Sequence, residues 1–153
     1  MILVRHAHAE SKARWDHDES LRPLSVRGEL QAEALDLVFA TDAITKLWSS
    51  PTVRCRQTLA PLATRRGLDI VDHPLLAKGA DPERLLPWVL AHAGEPWAVC
   101  THGEVFEALF RVGRAAGMVA ARPMVTEKGA AWRVVGHPDG SIDMEYVPPR
   151  ILR

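Results

Sequence analysis

The sequence has few of the features that mark secreted, metal-binding or membrane-spanning proteins. Its 153 residues include only two cysteines, Cys55 and Cys100, which lack the paired spacing of a metal site. No apolar run approaches the roughly 18 residues of a membrane span, and residues 2–4 are too short a run for a signal-peptide core. We therefore expect reduced thiols, no bound metal or cofactor, no membrane contact and a cytoplasmic location.

Charge of one sign does not predominate either. Lysine and arginine together number 19, as do aspartate and glutamate, so the formal net charge is zero. A nucleic-acid partner would require a broad basic surface, and none is expected here, although basic residues gathered at one site remain compatible with this balance. The 47% hydrophobic content is that of an ordinary globular protein, and the length suits one domain spanning residues 1–153.

The hydrophobic pattern alternates between strand and helix periods and ends in a hairpin. Helices are predicted to begin near Ser25, after Pro51, at Asp81 and near Gly103. Strands are predicted at residues 2–4, 44–48, 68–71, 97–100, 132–135 and 142–147. This order predicts an α/β fold, a three-layer α/β/α sandwich with a mainly parallel sheet and a C-terminal antiparallel hairpin.

Two further expectations concern burial. The first loop, residues 5–24, is predicted to be irregular and too rich in charge to enter the core. Helical spacing predicts that the inward stripe of the first helix consists of Leu30, Ala34, Leu37 and Val38.

Basic side chains follow three of the predicted strands. Arg5 and His6 follow the first strand, Arg54 lies shortly beyond the second, and His102 follows the fourth. Because the carboxyl ends of parallel strands meet at one edge of a sheet, these four residues should lie together, with no neighbouring carboxylate expected. Arginine forks match phosphate oxygens, and two helix N-termini add positive potential. The pattern predicts a metal-free site for phosphoryl transfer.

His6 is the predicted nucleophile of this cluster. Its position directly at the strand end exposes its ring to the bound group, and the positive charges around it should lower its pKa by repulsion. A neutral imidazole at pH 7 can attack phosphorus and form a phosphohistidine that water later hydrolyses. His102 would then hold a phosphate oxygen.

At these positions the sequence resembles the histidine phosphatase superfamily, with its phosphoglycerate mutase-like fold. The resemblance implies that His6 is phosphorylated, that Arg5 and Arg54 bind phosphate, that His102 completes the pocket, and that no metal is needed. Its length and Arg22-Pro23-Leu24 are most similar to the small phosphohistidine phosphatases. Residues 11–35 also resemble a domain attached to some Nudix hydrolases, although no Nudix box is present. The motifs are Leu3-Val4-Arg5-His6-Ala7, Leu24 to Gly28 with Gln31-Ala32, Ser49 to Thr58, and Thr101-His102-Gly103.

One departure from the family bears on the substrate. Larger members place a glutamate after the third strand as general acid, whereas this segment offers Lys78. An alcohol leaving group needs such an acid, which contributes about 100- to 10,000-fold in rate, whereas phosphohistidine needs less help. Phosphohistidine in proteins is therefore the predicted substrate. Glu104 is the foremost remaining acid, ahead of Asp18 and Asp81, and Arg22 is either a phosphate contact or half of a loop salt bridge.

Other functions remain open at this point. A phosphatase of nucleotides or other small phosphorylated metabolites is the main alternative, with a base contacting Arg14, Trp15 and His17. A non-catalytic phosphate-binding module is a second. A metal hydrolase built on His6 and His8 is disfavoured, because the barrels that use such pairs need about 250 residues. The expected partner is a phosphorylated protein or a small phosphorylated substrate.

Overall fold

Six strands and four α-helices make up the part of the chain that the computed structural model describes, residues 1–116 and 125–152. Short 3₁₀ turns cover Lys12–Arg14, Glu19–Leu21 and Pro74–Leu76. No helix in these ranges is long and apolar enough to cross a membrane. The elements are β1 (Ile2–Arg5), α1 (Val26–Val38), β2 (Lys46–Ser49), α2 (Val53–Arg66), β3 (Ile70–Asp72), α3 (Pro82–Ala91), β4 (Trp97–Thr101), α4 (Gly103–Ala115), β5 (Ala131–Gly136) and β6 (Ile142–Val147).

The strands form one mixed sheet in the order β3-β2-β4-β1-β5-β6. The first four of these are parallel, β5 runs antiparallel to β1, and β6 runs antiparallel to β5. The predicted mainly parallel sheet with a C-terminal hairpin is confirmed. Because β4 pairs with both β1 and β2, the carboxyl ends of these three strands lie side by side.

Helices cover both faces of the sheet, which confirms the three-layer sandwich. Successive side chains of a strand point to opposite faces. Leu3 and Val99 accordingly pack with α3 and α4, whereas Val4 and Cys100 pack with α1 and α2. Ser25 caps α1 and Asp81 caps α3, as the sequence indicates, each by accepting a hydrogen bond from a backbone N–H of the first turn.

The predicted inward stripe of α1 is correct at Ala34, which is buried, and at Val38, which packs against the core, but it is wrong at Leu37. Leu37 is 50% exposed. The buried face also includes Gly28, Ala32 and Leu35, because small side chains let α1 approach the loop after β1 closely. A Cβ atom at position 28 would lie 1.9 Å from the carbonyl oxygen of His8. Strands β2 and β3 also begin two residues later than predicted.

The loop after β1 is not excluded from the core, contrary to expectation. Ala7 and Leu24 are buried and pack against Ala32 of α1. Ala9 pairs with Leu24 in an isolated antiparallel bridge. The charged residues of this loop therefore extend outward from an apolar base, which fixes the segment that follows the end of β1.

Candidate active site

The strand ends bring the four predicted basic residues together. Arg5 ends β1 and His6 follows it, Arg54 lies in the first turn of α2, and His102 immediately precedes α4. The rings of His6 and His102 meet edge to face with centroids 5.3 Å apart. The charges of His102, Arg54 and Arg5 all act on His6, and three of these four residues are less than a tenth exposed.

Three nitrogens of this cluster lack a hydrogen-bond partner among the described residues. They are Nε of Arg5, Nε of Arg54 and Nδ1 of His102, and all three are buried. The other ring nitrogen of His102 lies 2.8 Å from Ser50 Oγ, so only Nδ1 is free. A buried donor without an acceptor costs about 1–3 kcal/mol. Three such nitrogens in one cluster indicate a site whose ligand carries several acceptor oxygens.

The tautomer of His6 follows from its hydrogen bond. Its Nδ1 lies 2.9 Å from the carbonyl oxygen of Ala7. A carbonyl oxygen only accepts, so Nδ1 carries the proton and Nε2 keeps its lone pair. Burial, and then the charges of His102, Arg54 and Arg5, lower the pKa of His6 to about 3. Repulsion is therefore the smaller cause, contrary to the sequence interpretation, but the neutral imidazole is as predicted.

We expect the ring of His6 to remain neutral in acid where an ordinary histidine is charged. With a pKa of about 3, only about 1% of the ring would be protonated near pH 5. Nε2 of His6 should thus lose its lone pair only as the pH falls through about 3. An NMR titration of the ring nitrogens tests this, with the His6 signals assigned by their loss in His6→Ala. A midpoint near pH 6.5 for those signals would contradict it.

A carboxylate does lie beside Arg54, which corrects the expectation of a site without one. Glu19 Oε1 is 3.4 Å from Arg54 Nη2, and the backbone oxygen of Glu19 accepts from Arg54 Nη1 at 2.9 Å. Hydrogen bonds from Arg22, together with the charges of Arg54 and Lys78, lower the pKa of Glu19 to about 2. The sequence analysis missed Glu19. The only sequence feature that indicates its role is its position three residues before Arg22, a spacing at which the two side chains can form an ion pair.

The structure places Arg22 in the loop salt bridge. Its Nε and Nη2 donate to the two carboxylate oxygens of Glu19 at 2.9 and 2.8 Å, and its Nη1 donates to the carbonyl oxygen of Glu10 at 2.6 Å. Arg22 is nearly buried. It therefore holds Glu19, and with it the loop, against Arg54.

Glu104 lies close to the cluster but is held as an anion. Its carboxylate is 3.0 Å from Lys78 Nζ. Burial alone would raise its pKa, but a backbone N–H at the start of α4 and the Lys78 charge outweigh burial, so the pKa is lowered. Asp18, the neighbouring candidate, caps the Glu19–Leu21 turn instead. Neither group has the raised pKa that a general acid needs at neutral pH.

The glycine of Thr101-His102-Gly103 makes room for Arg5. A Cβ atom at position 103 would lie 2.6 Å from Cζ of Arg5. The Arg5 side chain is also held by a hydrogen bond from its Nη1 to the Thr126 carbonyl oxygen at 2.5 Å.

We expect Gly103→Ala to displace the Arg5 guanidinium and weaken phosphate binding by about tenfold or more, since a charged bidentate contact is lost. The inhibition constant of inorganic phosphate measures this. Gly94→Ala is the matched control, because no atom lies within 4 Å of a Cβ there. Equal constants for the two variants would show that Arg5 does not contact the anion.

Within residues 1–116 and 125–152, no group of three or more histidine, cysteine, aspartate or glutamate side chains is arranged to hold a metal ion.

A neutral, buried imidazole among unpartnered arginine and histidine nitrogens, at the carboxyl edge of a parallel sheet, defines an α/β protein with an oxyanion-binding site. The chain belongs to the histidine phosphatase superfamily (branch 1), whose family model matches residues 1–78. The resemblance noted in the sequence is thereby confirmed.

One curated relative extends over nearly the whole chain. It is the 8-oxo-(d)GTP phosphatase of Mycolicibacterium smegmatis, 33% identical over 155 residues that cover 97% of this chain and 48% of the relative. The chain thus spans about half the length of this relative.

Solved structures share the fold at lower identity. The protein histidine phosphatase SixA, complexed with tungstate, matches with a TM-score of 0.74 at 20% identity, covering 96% of this chain and 95% of that one. A mycobacterial glucosyl-3-phosphoglycerate phosphatase matches with a TM-score of 0.68 at 17% identity, covering 97% of each chain. Identities this low establish the fold, and the differing names show that this fold is used on different substrates.

Proposed function

We propose that this chain is a phosphatase that works through a phosphohistidine on His6. The observation that carries the proposal is the neutral Nε2 of His6 amid three buried, unpartnered nitrogens of Arg5, Arg54 and His102. Such an array neutralises the equatorial oxygens of a phosphoryl group, which is most of what phosphoryl transfer requires.

The reaction divides into two displacements. His6 Nε2 bonds to phosphorus while the leaving group departs with the electron pair of the broken bond. Water then attacks the same phosphorus and Nε2 recovers its electron pair. The proton that water loses balances the one that the leaving group takes up, so the sum is hydrolysis.

The state of the carboxylates favours a substrate whose leaving group needs little acid catalysis, and phosphohistidine in proteins is the first such candidate. Glu19 and Glu104 both have lowered pKa values and are bound to cations, so neither is placed to protonate an alcohol. The imidazole of phosphohistidine can leave as a neutral molecule once its other ring nitrogen carries a proton from solvent, so it depends less on an acid of the enzyme than an alcohol does. We infer that the enzyme acts on substrates whose leaving groups need little acid catalysis.

A nucleotide substrate is the second candidate, favoured by the relative named 8-oxo-(d)GTP phosphatase. A phosphoanhydride also has a leaving group that needs no strong acid, so the same pocket suits it. The loop after β1 offers an aromatic surface, where Trp15 and His17 meet edge to face at 5.3 Å. A base stacked there, near Arg14, would lie on the loop that also carries Glu19.

We also propose that no metal takes part and that the enzyme works in a reducing compartment such as the cytoplasm. Arginine and histidine supply the positive charge that a metal would otherwise provide. Cys55 and Cys100 are free thiols, and Cys55 Sγ lies 3.7 Å from His102 Nε2.

Three classes of leaving group, assayed in EDTA, test these proposals. We expect turnover of a phosphohistidine peptide and of a nucleoside triphosphate, and turnover of a sugar phosphate slower by about 100-fold or more. Comparable rates on the sugar phosphate would contradict an acid-poor pocket. Activity that appears only with zinc or manganese would overturn the metal-free mechanism. Failure to turn over any of them would indicate a binding module.

A further inference from the structure

A second group of basic residues, His8, Arg27 and Lys128, lies beside the pocket and is called here the cationic corner. Arg27 and Lys128 carry its charge, because partial burial and the repulsion of these two residues lower the pKa of His8. The backbone N–H of Gly129 donates to the carbonyl oxygens of Arg5 and His6, each at 3.2 Å, which places Lys128 at the end of β1. The side chain of Gln31 then joins the backbones of two of the three residues, His8 and Lys128. It accepts from the His8 N–H at 2.8 Å and donates to the Lys128 carbonyl oxygen at 3.1 Å.

The start of α1 supplies the third residue of the corner. Ser25 Oγ lies 2.7 Å from His8 Nδ1 and accepts from the Gly28 N–H at 3.3 Å. Arg27 lies between these two residues in the first turn, exposed to solvent. The amino end of α1 therefore faces the same corner, and its dipole adds to the positive potential there.

These charges are not neutralised by nearby carboxylates. Among the described residues, neither Arg27 nor Lys128 has an acidic side chain at ion-pairing distance, in contrast to Arg22 and Lys78. Glu10 is the acidic group that acts on His8, and it opposes the repulsion from Lys128 and Arg27. In a chain with no net charge, such a local excess is a specific feature of this edge.

The charges of the pocket act on the cationic corner. Besides partial burial, the charges of Arg5, Arg22, Arg27 and Arg54 lower the pKa of Lys128. Lys128 therefore lies near the two phosphate-binding arginines as well as the start of α1. An anion that extended out of the pocket in this direction would meet Lys128 and then His8 and Arg27.

We propose that the cationic corner is a subsite for the second phosphate of a phosphoanhydride substrate, such as a nucleoside di- or triphosphate. The pocket takes the terminal phosphoryl group and the corner holds the next phosphate of the chain. This inference rests on the proposed phosphatase function and selects, between its two candidate substrates, the nucleotide. A single phosphoryl group on a neutral protein segment would leave the corner unused.

Binding of inorganic anions to an inactive enzyme tests the subsite apart from catalysis. Calorimetry on His6→Ala, repeated on His6→Gln, would compare phosphate, pyrophosphate and tripolyphosphate. We expect the two longer anions to bind about tenfold or more tightly than phosphate, with a steeper loss of affinity in salt. Removing both charges, Arg27→Ala with Lys128→Ala, should abolish that gain and change phosphate binding much less. Arg114→Ala, at the far end of α4, is the matched control and should keep the gain.

The outcomes separate the two proposals. If phosphate binds but the longer anions bind no tighter, or if their gain survives the double substitution, the subsite is wrong and the phosphatase pocket stands. If phosphate binds neither inactive variant and does not inhibit wild-type turnover, the pocket itself is wrong and the subsite falls with it. Circular dichroism of every variant excludes unfolding as the cause.

Discussion

His6→Ala is expected to lower phosphate release by about 10,000-fold or more, because removal of a covalent nucleophile leaves only binding and electrostatic stabilisation. The structure indicates that this substitution removes the reactive nitrogen with little effect on the fold. His6 makes one side-chain hydrogen bond, to the Ala7 carbonyl oxygen, and no ion pair with a described residue. The variant should therefore keep its fold while losing Nε2. The measurement is steady-state phosphate release from the best substrate of the leaving-group series.

Trapping the intermediate gives a second readout of the same prediction. Wild-type enzyme mixed with substrate carrying labelled phosphate and quenched in alkali should retain label, since phosphohistidine is stable in base and labile in acid. His6→Ala should retain none. His137→Ala is the matched control, because His137 is an exposed histidine paired with Asp143 on the C-terminal hairpin. Equal turnover in wild type and His6→Ala would refute the assignment of the nucleophile.

The gathering of the basic residues was predictable because it depends on topology. A strand followed by a helix, repeated along the chain, gives parallel strands whose carboxyl ends share an edge. Arg5, Arg54 and His102 each follow such a strand within a few residues, so no knowledge of side-chain contacts was needed. The layers and the hairpin followed from the same periodicity.

The presence of the Glu19 carboxylate beside Arg54 was not predictable in this way. Glu19 belongs to a loop whose course is set by the burial of Ala7 and Leu24 under α1, and that burial depends on tertiary packing. The prediction that Leu37 of α1 points inward was wrong for a related reason. A pattern of large apolar residues selects Leu37, whereas close contact with the loop selects the small residues Gly28 and Ala32.

The cause of the His6 pKa shift was likewise not predictable from the sequence. Sequence order places like charges near His6, which predicts repulsion, but it does not show how deeply the ring is buried. Burial is the larger cause, and only the packed structure reveals it. The electrostatics of the pocket thus depend on the layers around it as much as on its own four residues.

Arg54→Ala is expected to reduce kcat/KM by about 1,000-fold or more, the range seen when a charge-stabilising arginine is removed from a phosphoryl-transfer site. Arg54 is 1% exposed, and its Nη1 is held by the Glu19 backbone oxygen while its Nε has no partner among the described residues. Under the proposed function, a guanidinium fixed in this way would present a preformed donor to the phosphoryl group. Its loss should raise the phosphate inhibition constant and lower kcat together.

Two further variants separate this catalytic role from a structural one. Arg54→Lys keeps the charge but loses the planar fork, so it should recover only part of the activity. Arg56→Ala removes an arginine two residues away, whose half-exposed side chain pairs with Asp72, and it should cost about twofold at most. If Arg54→Ala and Arg56→Ala behaved alike with unchanged thermal stability, Arg54 would be an ordinary ion-pairing residue with no part in catalysis.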